Sequence, residues 1–201
     1  MSEVRFLSHE DIDGLVSTAE YVDAVHEGYV DHGGGATTEP RTALPGEDPP
    51  GMLNNYIAIL PGLGVAGGYT YMAGFGRADA WLVASLFDAQ SGEPLAVLDG
   101  SAINTYKTGA AGAVGIDALA RPDARVLSVF GSGAQARGQV RAAVEVRAFE
   151  ELLVYSPTPA HRESFAEMAG ERFGLESRAV ESPSAAVSAA DVLITATNAS
   201  E

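Results

Sequence analysis

Hydrophobic and polar positions follow two different rhythms along the chain. Through the first 120 or so residues the apolar runs are short and bounded by turn residues. Residues 3–7, Tyr56–Leu60, Gly67–Met72, Leu82–Phe87 and PLAVLD at 94–99 each predict a strand, and QSGE between the last two predicts a hairpin. A brief helix is expected behind Ser8 as N-cap. A stronger one follows Thr18, where Tyr21, Val22, Val25, Tyr29 and Val30 recur at helical spacing until Gly33-Gly34-Gly35. The segment PRTALPGEDPPG predicts a loop, and it carries Arg41. This half reads as an antiparallel sheet with helices, α+β in manner.

From Arg121 onward the rhythm changes. RVLSVF, LLVYS, residues 177–180 and VLITAT predict strands, separated by the helices AQARGQVRAAVEVR, AHRESFAEMAGERFG and SPSAAVSAA. Strands rich in Val, Leu and Ile that alternate with helices predict a parallel sheet with crossover helices. The expected organisation is therefore a first domain over 1–120 and a second over 121–201.

Composition narrows the classes of function. With 27 acidic residues against 12 basic ones, the net charge of -15 disfavours nucleic acid and anionic membranes as partners. The acids are spread along the chain and occur mostly singly, as on a solvated surface suited to high salt. Neither a transmembrane helix nor a signal peptide is expected, because the apolar runs are short and MSEVRFLSHEDID is charged. Cysteine is absent, which removes disulfides, thiolate metal sites and cysteine nucleophiles, and the expected compartment is the cytoplasm. The four histidines lack metal-ligand spacing, so no metal is expected. Asp88 and Asp99 flank the hairpin and are assigned turn and strand-end roles.

Two features carry candidate chemistry. Gly131-x-Gly133-x-x-Ala136 sits directly after a strand and directly before a helix. The first glycine permits the tight turn, the second lets backbone approach a pyrophosphate, and the small third residue lets helix and strand pack closely. The free amides of the helix N-terminus then favour phosphate. At the end of the next strand, Ser156 and Thr158 stand where an acidic residue would receive the ribose of NAD, so NADP(H) is favoured over NAD(H). The other reading of these two hydroxyls is that they cap the following helix. The second feature is Lys107, the single lysine beside eleven arginines, placed in NTYKTGAAGAV at the start of an expected helix. A solvated lysine and a functional one both fit that position.

The landmarks SGEPLAVLDG at 91–100, NTYKTGA at 104–110, LAR at 119–121, GSGAQA at 131–136 and TATNAS at 195–200 resemble, in order and spacing, those of the ornithine cyclodeaminase and mu-crystallin family. The resemblance covers essentially the whole chain. It implies an N-terminal α+β substrate and dimerisation domain plus an incomplete Rossmann domain, a doubly wound parallel sheet truncated after its fourth strand. It also implies NAD(P)-dependent hydride transfer at the α-carbon of a small amino or cyclic imino acid, in a cyclodeaminase, an alanine dehydrogenase or a ketimine reductase. A non-catalytic binding protein or inactive fragment is the alternative from another class. The expected partners are that substrate and a second copy of the chain, joined through the N-terminal domain.

Carried over by position, Arg41 falls on the family's carboxylate-binding arginine, a task suited to its bidentate fork. Lys107 occupies the slot of an arginine that bridges substrate carboxylate and cofactor, keeping the charge without the planar fork. Ala134 and Gln135 match residues on the pyrophosphate, and Thr197 matches a hydroxyl near the nicotinamide. The family's substrate-binding lysine in a GxK strand has no counterpart here; the nearest segment is Gly68-Tyr69-Thr70. The family's catalytic aspartate is expected past residue 201.

Overall fold

The computed structural model describes residues 4–48, 50–74 and 81–197. The chain divides into two compact units, one comprising Met1–Ser17 and His26–Asn104, the other Thr18–Val25 and Thr105–Glu201. The division falls inside two helices, Thr18–Gly33 and Ser101–Leu119, whereas the boundary expected near 120 follows the end of the second. Among the described residues, no helix is long and apolar enough to cross a membrane.

In the first unit, β1 (Arg5–Leu7) and α1 (His9–Ile12) precede α2 (Thr18–Gly33). Ser8 caps α1 through a capping box, its Oγ accepting from the Asp11 amide at 3.3 Å while the Asp11 carboxylate accepts from the Ser8 amide at 2.9 Å. Thr18, expected as a cap, is instead the first helical residue of α2. Then come β2 (Thr37–Thr38), β3 (Thr42–Glu47), β4 (Pro50–Leu60), β5 (Val65–Ala73), β6 (Trp81–Asp88) and β7 (Pro94–Asp99), followed by α3 (Ser101–Leu119), which from Thr105 onward belongs to the second unit. The strands lie in the order β1-β7-β6-β5-β4-β2, with β3 paired along the rest of β4. All neighbours are antiparallel except β1 and β7, which pair in parallel.

The expected loop PRTALPGEDPPG is thus largely strand. Residues 42–47 form β3 on the outside of β4, where Pro45 loses nothing because an edge strand need not donate from both sides. Period-two alternation gives the sheet two unlike faces. One exposes Leu53, Ile57, Ile59, Val83 and Phe87; the other carries Tyr56, Tyr69, Tyr71, buried Asn54 and buried Leu82.

The second unit realises the expected alternation: β8 (Val126–Phe130), α4 (Ala134–Val146), β9 (Glu151–Tyr155), α5 (Pro159–Phe173), β10 (Glu176–Ala179), α6 (Pro183–Ala189) and β11 (Val192–Thr195). Its four strands are all parallel in the order β10-β9-β8-β11. Leu127, Val129, Leu152, Val154, Val140 and Phe165 are fully buried and form one core between sheet and helices. Each contributes about 1.5–3 kcal/mol by leaving water.

Also in this unit, α3 crosses α4 at very short range. A Cβ added to Gly109 would run into the Gly138 carbonyl, and one added to Gly138 would lie 2.6 Å from the Thr105 carbonyl oxygen. Ala110, Ala113 and Ala142 pack around the crossing with Val22. Gln139 Nε2 donates to the Thr108 carbonyl at 2.9 Å.

Candidate functional site

The glycine turn lies at the carboxyl end of the parallel sheet, where open α/β sheets receive ligands. Gly131 has φ +116°, outside the range L side chains favour, and any Cβ there would collide with the Ala196 carbonyl. Its amide donates to the Tyr155 carbonyl at 2.8 Å, tying the turn to the end of β9. Gly133 is the N-cap of α4 and supplies no side-chain cap; an added Cβ there meets nothing within 4 Å. The first turn of α4 therefore presents uncapped amides beside open space, the arrangement an anion requires.

Ser156 ends β9 at 4 % exposure, and the Ser132 hydroxyl donates to its Oγ at 3.2 Å. Arg162 of α5 donates through Nη1 to the Ser156 carbonyl at 3.0 Å. Thr158 is the N-cap residue of α5, yet its side chain makes no capping hydrogen bond. For Thr158 the capping alternative is thus met in position but not by a side-chain hydrogen bond. Gln135 has its Oε1 buried without a hydrogen-bond partner among the described residues. Thr197 is exposed just beyond β11, whose end is joined to β8 by the Ala196 amide donating to the Phe130 carbonyl at 2.8 Å. Gly131, Gly133, Ala134, Gln135, Ser156, Thr158 and Thr197 thus gather at one end of one sheet. A turn that only glycine fits and uncapped helix amides beside open space together fit the pyrophosphate of a dinucleotide.

Lys107 is half-buried on α3 in this same unit. Beside it in sequence, Tyr106 is sandwiched: the Arg141 guanidinium lies 3.7 Å from its ring centroid, and Tyr21 stacks with it at 4.8 Å. This stack and the glycine crossing hold α3 against α4 close to Lys107.

Arg41 lies in the other unit, between β2 and β3. Its guanidinium donates to the hydroxyls of Tyr56 and Tyr71, and those bonds, Tyr56 foremost, raise its pKa above the ordinary arginine value. Tyr69 completes the group. Ring centroids are 4.9 Å apart for Tyr56 and Tyr69, 5.9 Å for Tyr69 and Tyr71, and 6.3 Å for Tyr56 and Tyr71, all stacked. Burial pushes the Tyr69 and Tyr71 phenols up from their ordinary pKa, so both stay protonated donors at neutral pH.

The sequence reading missed this tyrosine group. The i, i+2 spacing of Tyr69 and Tyr71 places them on one face of a strand, but Tyr56 joins them only through the register that sets it opposite Tyr69. The turn and strand-end roles of Asp88 and Asp99 are realised. The Asp88 Oδ1 accepts from the amides of Gln90 and Ser91 at 2.9 and 2.7 Å, and the Asp99 Oδ1 accepts from the Ser101 hydroxyl at 2.6 Å. The catalytic aspartate expected past residue 201 lies outside the described residues.

A four-stranded parallel sheet with a glycine turn at the head of the helix after β8, in a chain that also carries an α+β unit, defines an α/β protein of the NAD-binding type. The chain belongs to the ornithine cyclodeaminase/mu-crystallin family, whose model matches residues 2–201. It is 38% identical over 117 residues to a Delta(1)-pyrroline-2-carboxylate reductase of Bacillus cereus, a match covering 58% of this chain and 36% of that one. Among solved structures it superposes with TM-score 0.90 and 31% identity on the Thermococcus litoralis Delta(1)-pyrroline-2-carboxylate reductase in complex with NADH and L-proline. That match covers 98% of this chain and 62% of the other. An archaeal alanine dehydrogenase dimer with bound NAD gives TM-score 0.87 at 29% identity, over 98% of this chain and 61% of that chain. The chain thus spans less than two thirds of the length of these relatives.

Proposed function

We propose that the protein serves NAD(P)-dependent hydride transfer at the α-carbon of a small amino or cyclic imino acid. The observation that carries this reading is the turn Gly131–Ala136, with its positive φ at Gly131, uncapped α4 amides and hydroxyl-lined β9 end. A bound nicotinamide would supply the hydride acceptor or donor; the chain supplies binding and orientation. Gly131 and Gly133 admit the pyrophosphate, with Ala134 and Gln135 against it. Ser156 and Thr158 receive the adenosine ribose, and their lack of a carboxylate favours NADP(H) over NAD(H). Thr197 stands at the nicotinamide side. Arg41 takes the substrate carboxylate, and Lys107 holds positive charge between substrate and cofactor.

The relative bound to NADH and L-proline supports the substrate class, and the Bacillus reductase supports the imine-reducing direction. Residues 1–120 then act as the substrate and dimerisation domain and 121–201 as the cofactor domain. A homodimer through the first domain is supported by the exposed apolar face around Ile57 and Val83, and by the alanine dehydrogenase solved as a dimer. The cysteine-free, acidic composition supports a cytoplasmic setting.

The test is a titration of NADPH and NADH into the protein, followed by NADPH oxidation with a panel of cyclic imines and 2-oxo acids plus ammonia. Saturable binding with NADPH the tighter ligand, and consumption of NADPH with at least one cyclic imine, are expected. Absence of binding by either dinucleotide would sink the reading.

A further inference from the structure

We infer that Tyr56, Tyr69 and Tyr71 are specificity-determining residues that make the Arg41 site select flat, π-conjugated ring carboxylates over saturated amino acids. The inference rests on the reading of Arg41 as the carboxylate anchor and adds to it the shape of what the anchor holds.

Four observations point the same way. The three rings lie on one face of the first sheet, on adjacent strands, with interplanar angles of 16°, 18° and 28°. Rings nearly parallel at these separations are stacked on one another, and the half-buried stack makes an aromatic wall with a flat outer ring face. The guanidinium of Arg41 is exposed and bound to the hydroxyls of Tyr56 and Tyr71, so its remaining N–H groups sit at the rim of that wall. A carboxylate met there has a planar cation ahead of it and π-faces beside it. Thirdly, Asn54 is directly opposite Tyr71 in the pairing and on the same face. It is 1% exposed, and its Oδ1 has no hydrogen-bond partner among the described residues. A buried carbonyl oxygen left unmatched costs about 1–3 kcal/mol, and a ring N–H is a group that would satisfy it. Finally, this face carries no lysine, so no ammonium is present to hold a second polar end of a long substrate.

A flat ring bearing a carboxylate and a ring nitrogen satisfies all of these at once. It stacks on the tyrosines, gives its carboxylate to Arg41 and offers N–H to the Asn54 side. A puckered ring keeps the carboxylate contact but loses face-to-face contact. A flexible diamino acid loses the wall altogether. The site therefore favours the flat, N-protonated iminium partner of an imine and amine pair, so the saturated amino acid leaves the more readily.

The experiment compares two probes of equal ring size, pyrrole-2-carboxylate, which is planar, and L-proline, which is puckered, by isothermal titration calorimetry. Wild type, Tyr69→Leu, Tyr69→Phe and Arg41→Gln are measured, with thermal melts confirming that each is folded. Wild type is expected to bind the planar probe about tenfold more tightly, the size of one good aromatic contact. Tyr69→Phe should keep that ratio, Tyr69→Leu should bring it close to one, and Arg41→Gln should lose both ligands. Equal affinities in wild type, or a preference that survives Tyr69→Leu, overturns the tyrosine wall and leaves the Arg41 reading standing. No binding of either probe by wild type overturns both. If the melts show Tyr69→Leu unfolded, the wild-type ratio and Tyr69→Phe decide the matter.

Discussion

The Ser132 hydroxyl donates to the Ser156 hydroxyl at 3.2 Å, joining the glycine turn after β8 to the end of β9. The two places proposed to choose a dinucleotide, the pyrophosphate turn and the ribose-binding strand end, are thereby one hydrogen-bonded piece. A carboxylate at 156 would be a nearly buried charge beside the proposed site of a 2′-phosphate. Ser156→Asp should weaken NADPH binding by at least about tenfold, equivalent to about 1.4 kcal/mol, and leave NADH equal or tighter. Fluorescence titration with both dinucleotides measures the ratio, and an unchanged preference would remove Ser156 from cofactor choice.

The two glycines of the turn should fail in different ways. Gly131→Ala forces a Cβ into the Ala196 carbonyl at a positive φ, so it should lower stability by about 1–3 kcal/mol as well as dinucleotide affinity. Gly133→Val meets open space and should leave the melting temperature close to wild type while blocking the ligand. Urea melts paired with NADPH titration separate the two effects.

Asp191 ties the start of β11 to the start of β8. Its Oδ2 accepts from the amides of Arg125 and Val126 at 2.8 and 2.9 Å, and its Oδ1 pairs with Arg121. The two amide bonds come first in holding its pKa below the ordinary carboxylate value, with Arg121 adding to them. A depressed carboxylate adds stability that is present above its unfolded pKa of about 3.9 and lost as pH falls through the folded value. Asp191→Asn should therefore lower stability at pH 7 and flatten the loss below pH 4, as read by urea midpoints across pH 2–7. An acid limb identical to wild type would contradict this.

The apolar sheet face should show itself in mass. Ile57→Glu puts a charge at a half-exposed position of an already acidic surface, with little cost to the monomer's fold. Light scattering on size-exclusion eluate should show a dimer for wild type and a monomer for the variant. A wild-type monomer at high micromolar concentration would remove the dimer.

What the sequence disclosed and withheld follows from where the information lies. The second unit was legible because apolar strands, helices and a motif lying between them are all local patterns, and Gly131-x-Gly133 needs only its two neighbours to be read. β3 was hidden because Pro45 and Gly46 are turn residues in any local reading, and only the pairing with Met52 and Gly51 makes them strand. The tyrosine group was half visible in the spacing of Tyr69 and Tyr71 and completed by register. The Gly109 and Gly138 contact, 29 residues apart in sequence, has no local signature at all.

That contact has a bearing on how the protein can change. Where two helices touch backbone to backbone, no side chain is left to absorb a misfit by choosing another rotamer. One residue inserted in α3 ahead of Lys107 would turn that side chain by about 100° around the helix axis relative to α4, and nothing at the crossing could compensate. A substitution at 107, by contrast, leaves the frame around it in place. At this crossing a change of side chain is tolerated where a change of length is not.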